Sequence, residues 1–304
     1  MSLDRRARLV ASLRAFFDAR GFLEVETPIV VPSPGLDVHL SAFTLVTPTA
    51  RPPRFLSTSP EYQMKRLLGA GHARIYQLTK AFREDELGER HNPEFTMLEW
   101  YRAPAAVEDI MRDTEQLVAR VTGGRVSLAD RSIDTTPPFR RLTVTEAFDT
   151  FAHVQADETL RIAEHDEDRF FKLLVDHVEP ALEALDHAVF LTEYPASQAS
   201  LARTKPGDPR VAERFELYVA GVELCNGFGE LTDAREQRAR FEHDQAMRRE
   251  RGLPVYPIDQ RFLEALERGL PPCSGNALGV DRLVALACGT RDIADVLAFT
   301  ASTL

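Results

Sequence analysis

The chain has 304 residues, 44% of them hydrophobic, a formal net charge of −10 and a pI of about 5.4. That length supports a sizeable core, in one large domain or two small ones. The acidic balance argues against a main partner of nucleic acid, which demands a basic face, and leaves any acidic protein partner dependent on a local basic patch. Cys225, Cys273 and Cys288 are an odd set without CxxC spacing, so they read as reduced thiols of a cytoplasmic protein. Residues 1 to 14 mix charges and lack an apolar signal core, and no stretch is long enough to span a membrane.

Residues 4 to about 20 are expected to be helical: Leu9, Leu13, Phe16 and Phe17 recur at helical spacing, and Gly21 sits where a C-cap would. Residues 22 to 31 form a strand candidate interrupted by Pro28. A short strand is expected at 54 to 57. Ser59-Pro60-Glu61 then starts a helix whose apolar face is Met64, Leu67 and Leu68. Residues 75 to 82 are the next strand.

The most informative stretch follows, from 82 to 101. Phe82, Arg83 and Asp85 open it, a charged loop comes next, and residues 95 to 101 alternate as a half-buried strand would. Two strands joined by a polar loop hold one arginine, one histidine and several carboxylates around a single cavity. Arginine suits a phosphate because its planar fork donates paired, charge-assisted hydrogen bonds. A surface hairpin with ion pairs is the plainer alternative.

Residues 107 to 121 read as a helix, Gly123-Gly124 as a turn, and Thr143 to Glu146 as a capping box. Residues 157 to 188 are helical and highly charged, a solvated face without chemistry. A buried strand is expected at 189 to 192 and a long loop at 197 to 210. With no internal repeat and no low-complexity linker, the chain reads as one mixed α/β domain.

Two further constellations carry chemistry. Phe215, Leu217 and Val219 alternate with Glu216 and Tyr218, and a second strand starts at Val222. A tight loop at Ala220-Gly221 pairs Val219 with Val222 and Tyr218 with Glu223, and places Glu216 opposite Cys225. The two glutamates then share a face as diagonal neighbours, roughly 7 to 8 Å apart. Such a pair repels unless a cation lies between, as Mg²⁺ does at nucleotide sites; two exposed glutamates on a solvated face fit the spacing equally well. Asn226, Phe228 and Glu230 follow in Asn-Gly-Phe-Gly-Glu and could form a pocket floor. The last constellation runs from Ser274 through Gly275, Ala277, Gly279 and Asp281 to Arg282. It reads as a strand or turn feeding a helix, with glycines that let backbone approach a ligand and Arg282 in the first helical turn, aimed at an anion.

Taken together, residues of about 5 to 35, 75 to 102 and 273 to 288 resemble motifs 1, 2 and 3 of class II aminoacyl-tRNA synthetases, in family order. The likeness is to the lysine-specific branch. The stretches 59 to 68, 91 to 95 and 195 to 202 bring it closer still to the truncated paralogs that ligate (R)-β-lysine to elongation factor P. The resemblance implies an α+β catalytic domain, an antiparallel sheet flanked by helices, over residues 1 to 304, working as a homodimer through motif 1. It implies an ATP-dependent ligase that forms an adenylate and pyrophosphate and passes the acyl group to a lysine of elongation factor P, taking α-lysine weakly. By the same likeness Arg83 and Arg282 are catalytic. Arg83 holds the α-phosphate and the substrate carboxylate, and His91 and Arg282 meet the outer phosphates. Phe95 stacks on adenine. Glu84, Asp85, Asn92, Glu223, Leu224 and Gly279 complete the ATP site, and Glu216 and Glu223 hold Mg²⁺. Ser59, Pro60, Glu61, Glu99, Tyr101, Asn226, Phe228, Glu230 and Ala277 surround the amino acid.

Three departures from the lysyl-tRNA synthetase pattern stand out. Asp85 replaces the usual glutamate, Ala277 replaces a glycine, and there is no room for an anticodon-binding barrel, so no tRNA is expected as acceptor. A minimal synthetase, or another amide-forming ligase on the same fold, is the enzymatic alternative. An inactive regulatory paralog is a third, although it would be expected to lose the charged residues retained here.

Overall fold

The computed structural model describes residues 3–46, 52–129 and 131–304. Eight strands form the main sheet: β1 (Leu23–Glu24), β2 (Arg74–Phe82), β3 (Glu94–Arg102), β4 (Arg140–Thr143), β5 (Val189–Thr192), β6 (Arg214–Val219), β7 (Val222–Gly229) and β8 (Ser274–Gly279). Their spatial order is β1-β2-β3-β8-β7-β6-β5-β4. Only the two outer pairs, β1 with β2 and β4 with β5, run parallel. The expected antiparallel sheet flanked by helices is therefore the architecture.

One face of the sheet is covered by α1 (Leu3–Asp18), α3 (Val107–Thr122) and α8 (Val280–Cys288). Phe17, fully buried from α1, stacks on Tyr76 at 4.7 Å and touches Phe16, Phe22 and Trp100. Truncating such a ring to alanine costs about 3–5 kcal/mol, so this packing fixes the sheet's back. The other face carries two separate clusters. At one end α2 (Glu61–Gly69), α6 (Ala234–Glu250) and α7 (Gln260–Glu267) bring Tyr62, Phe241 and Phe262 over Tyr101. At the other end, α4 (Ala156–His165), α5 (Glu167–Leu173) and the turns after them cover Val189, Leu191 and Tyr218. Between those clusters the sheet's centre is left open as a cavity floor.

Several expectations need correction. The run 95 to 101 is not half-buried: β3 is a central strand, buried on both faces from Thr96 to Tyr101. Residues 22 to 31 make no single strand; Pro28 splits them, and Val30–Val31 pairs instead with Arg54–Leu56 in a small separate sheet. The loop expected at 197 to 210 contains a hairpin, Thr204–Lys205 with Asp208–Ala212. The segment 157 to 188 is more than a solvated face. Phe170, Leu174, Val178 and Leu182 are buried in the second cluster, because charged residues occupy only the outward side of its helices.

Candidate active site

The site is a set of rows across the open sheet face. Strand register places Glu99, Ala277, Asn226 and Glu216 side by side on four successive strands. The next row is Tyr101, Gly275, Phe228 and Arg214. A Cβ on Gly275 would lie 2.2 Å from the Tyr101 ring. This glycine therefore makes room for Tyr101 rather than for a ligand's approach to the backbone.

The β6–β7 hairpin turns at Ala220 and Gly221, both with positive φ (54° and 72°), as a two-residue primed turn requires. Val219 pairs with Val222 and Tyr218 with Glu223, as expected, but the register then shifts, and Glu216 lies opposite Asn226 instead of Cys225. The cause is a bulge that leaves Leu224 unpaired. It matters chemically, because Glu223 and Asn226 are three apart and would face opposite ways on a regular strand. The bulge turns both toward the cavity.

A smaller cavity of about 190 Å³ is lined by Arg83, His91, Asn92, Phe95, Glu223 and Arg282, among others. Arg282, in the first turn of α8, is held by the Glu223 and Arg90 carbonyls at 2.9 and 3.1 Å. It also donates to His91 Nε2 at 2.6 Å. A guanidinium can only donate, so His91 accepts as a neutral ring; burial and then the Arg282 charge lower its pKa accordingly. Arg83 lies over the Phe95 ring at 5.1 Å and pairs with Glu86 at 2.9 Å. Arginine forks, a neutral imidazole donor-acceptor and an aromatic face together suit a nucleotide with several phosphates.

The metal-candidate carboxylates differ. Glu216 accepts from Arg214 at 2.7 Å and from Tyr218 at 2.8 Å. Glu223 has only the longer 3.5 Å contact to Arg282. Desolvation, and then the Glu216 charge, push the Glu223 carboxyl above the usual range. A cation beside the pair relieves that repulsion, so these residues fit Mg²⁺ bound through few carboxylates plus phosphates. Among the described residues no cluster of three or more His, Cys, Asp or Glu side chains could hold a metal ion.

Behind Ala277 lies a buried acidic pocket. Glu99 is fully buried and accepts from Ser59 Oγ at 2.5 Å and from Tyr101 at 2.9 Å. Burial, and then the Glu61 charge, raise it to about 8. Lys65, also fully buried, sits 2.5 Å from both Glu61 and Glu230. Burial opposes its charge, but the two carboxylates outweigh it and hold the Lys65 pKa up. One lysine among three carboxylates leaves a pocket built for further positive charge.

Most of the expected residues are thus brought together. Glu84 and Asp85 are not: neither lines the smaller or the larger cavity, and Glu86 takes the place beside Arg83. Asn92 lines the site, but its side-chain amide binds the Glu94 carbonyl and the Ala301 amide. Pro60 acts as the helix N-cap. Lys65 was missed because a lysine four residues after a glutamate reads as a surface helix pair. Arg214 was legible, since it shares strand parity with Glu216 and Tyr218.

A family model for tRNA synthetases class II (D, K and N) matches residues 1–303. The chain belongs to that family. Among the similar relatives of this class II synthetase are proteins named elongation factor P–(R)-beta-lysine ligase, from Salmonella gallinarum (strain 287/91 / NCTC 13346), Salmonella paratyphi B (strain ATCC BAA-1250 / SPB7) and Salmonella heidelberg (strain SL476). Each is 45% identical over 322 aligned positions, covering 98% of this chain and 94% of the relative. This class II synthetase is accordingly an ATP-dependent ligase. Among its described residues, no helix is long and apolar enough to cross a membrane.

Proposed function

We propose that this chain activates (R)-β-lysine with ATP and transfers it to a lysine side chain of elongation factor P. The observation that carries this reading is the acidic pocket of Glu61, Glu99 and Glu230, placed one strand residue from the cavity of Arg83 and Arg282. A diamino acid needs carboxylates for its ammonium groups, and its carboxylate must meet the α-phosphate.

In the first step a substrate carboxylate oxygen attacks the α-phosphorus, the bond to the β-phosphate oxygen breaks, and pyrophosphate leaves with the electron pair. Arg83 neutralises the charge developing on the α-phosphate, while Arg282 and His91 hold the outer phosphates. Phe95 stacks on adenine; Asn92, Leu224 and Gly279 contact the nucleotide through backbone. Glu216 and Glu223 would hold Mg²⁺, which would supply further charge stabilisation on the phosphates. In the second step the acceptor amine nitrogen attacks the acyl carbon, the bond to the phosphate oxygen breaks, and AMP departs; the amine's protons pass to solvent. Catalysis is charge stabilisation and alignment, with no covalent enzyme nucleophile.

The 304 residues act as one catalytic unit, in the cytoplasm, as a homodimer. Exposed Leu23, Ile29 and Val30, all from the motif 1 region, support a covered surface there. The test is amino-acid-dependent ATP–pyrophosphate exchange. (R)-β-lysine should support it with a higher kcat/KM than α-lysine, and equal or reversed preference would count against the reading.

A further inference from the structure

A second, larger cavity of about 560 Å³ shares Asp37, Leu40, Arg83, Met97, Glu223, Asn226 and Ala277 with the nucleotide site. It runs outward between α6, the loop 33–40 and α5. Its lining is acidic, with six carboxylates against three arginines. Some of that charge belongs to the two subsites already assigned. The outer arm extends beyond them: there Asp37 of the loop, which also lines the nucleotide cavity, meets Asp244 of α6 and Glu167 of α5, between apolar walls of Leu36, Phe171 and Met247. Acidic residues alone do not make a site, but Gln237, two turns before Asp244 on the same helix, is an independent sign. It is fully buried and lines this cavity, and among the described residues neither of its side-chain amide atoms has a hydrogen-bond partner. A buried unpaired amide costs about 1–3 kcal/mol, so its retention signals a polar ligand.

We infer that this outer arm is the subsite for the acceptor side chain, an aliphatic amine: its apolar walls take the methylenes. The inference rests on the proposed ligase reading and names the part of the site that the acceptor uses. Charge balance agrees with it. Burial, and then the Asp37 charge, push the Asp244 carboxyl up to about 7. The groups facing it are Asp37 from the loop, Glu167 from α5, and Arg240 and Arg248 from its own helix; His39, His243 and Arg251 line the same cavity. Glu167 is already paired, with Arg251 at 2.6 Å. The Arg248 Nε and Nη1 groups are taken by the carbonyls of Pro254, Asp37 and Leu40. An incoming ammonium is what relieves the remaining repulsion between Asp37 and Asp244.

The experiment separates the two half-reactions. Purified wild type, Asp244→Asn, Asp244→Glu and Gln237→Leu are assayed for β-lysine-dependent pyrophosphate exchange, for trapping of the adenylate by hydroxylamine, and for transfer to elongation factor P. Hydroxylamine is small and uncharged and needs no ammonium subsite. Asp244→Asn should raise the KM for elongation factor P roughly tenfold or more, the scale of a hydrogen bond to a charged group, and change exchange and trapping less than twofold. Asp244→Glu should restore most of the loss, and Gln237→Leu should shift the same KM less. In the wild type that KM should fall as pH rises through about 7, and Asp244→Asn should abolish the dependence. An unchanged transfer KM in Asp244→Asn, or exchange lost in parallel with transfer, overturns the subsite. Absence of β-lysine-dependent exchange in the wild type instead overturns the ligase reading beneath it.

Discussion

Replacing Glu99 by glutamine should stabilise the protein in alkaline solution while disabling it. Glu99 is fully buried, and its pKa is raised from an ordinary 4.5 to about 8. A carboxyl whose folded pKa is raised binds its proton more tightly in the folded state. Its contribution to stability is complete below about pH 4.5 and is lost as pH rises through 8. At about 1.4 kcal/mol per unit, the loss near pH 8 has an upper limit of roughly 4 kcal/mol. Glutamine keeps the shape, accepts from one of the Ser59 and Tyr101 hydroxyls through its carbonyl and donates to the other's oxygen through its amide, but carries no charge, so a gain on the order of 2 kcal/mol is expected. For a chain of 304 residues that corresponds to a Tm higher by roughly 3 °C. The same change removes a charged partner for a substrate ammonium and should lower kcat/KM in pyrophosphate exchange by about ten- to a hundredfold. Thermal melts of both proteins from pH 5 to 8 are the assay, with the Tm gap opening as pH rises. A gap that does not vary with pH, or a variant that is less stable at pH 8, refutes a strained, charge-seeking Glu99.

Glu223→Gln should cost about a hundredfold or more in pyrophosphate exchange, the scale of losing one preorganised charge contact, and Glu216→Gln less. Wild-type rates for both variants at limiting Mg²⁺ would remove the metal role. Ala277→Gly should raise use of α-lysine relative to (R)-β-lysine by about ten- to a hundredfold in kcat/KM, because Ala277 sits between Glu99 and Asn226 on the cavity floor and one methyl discriminates by ~1–3 kcal/mol. An unchanged ratio excludes it from specificity. Purified lysine tRNA should not be charged, since the larger cavity carries six carboxylates against three arginines, a balance that disfavours a phosphate backbone; robust acylation would favour a minimal synthetase.

Much of this site was legible because its parts are local. Arg83 follows a strand, Arg282 opens a helix after a glycine-rich strand, and Glu216 and Glu223 flank a two-residue turn; each pattern is contained in a few residues. The unread features depend on contacts between distant segments. The bulge at Leu224 cannot be counted from a hairpin loop, yet it decides that Glu223 and Asn226 face the same cavity. Lys65 is buried only because Glu230, from the end of β7, meets α2. The charged stretch 157 to 188 hid a core, since its apolar residues are outnumbered by the charges on the outward side. Asp85 departs for a local reason: the loop turns so that Glu86 reaches Arg83 instead.

The central claim is tested most directly by intact-mass analysis of elongation factor P after incubation with this protein, ATP and either lysine isomer. The account predicts a mass increase of one lysyl group, fast with (R)-β-lysine and slow with α-lysine, lost when the acceptor lysine is changed to arginine. An unmodified elongation factor P, under conditions where pyrophosphate exchange is active, would contradict it.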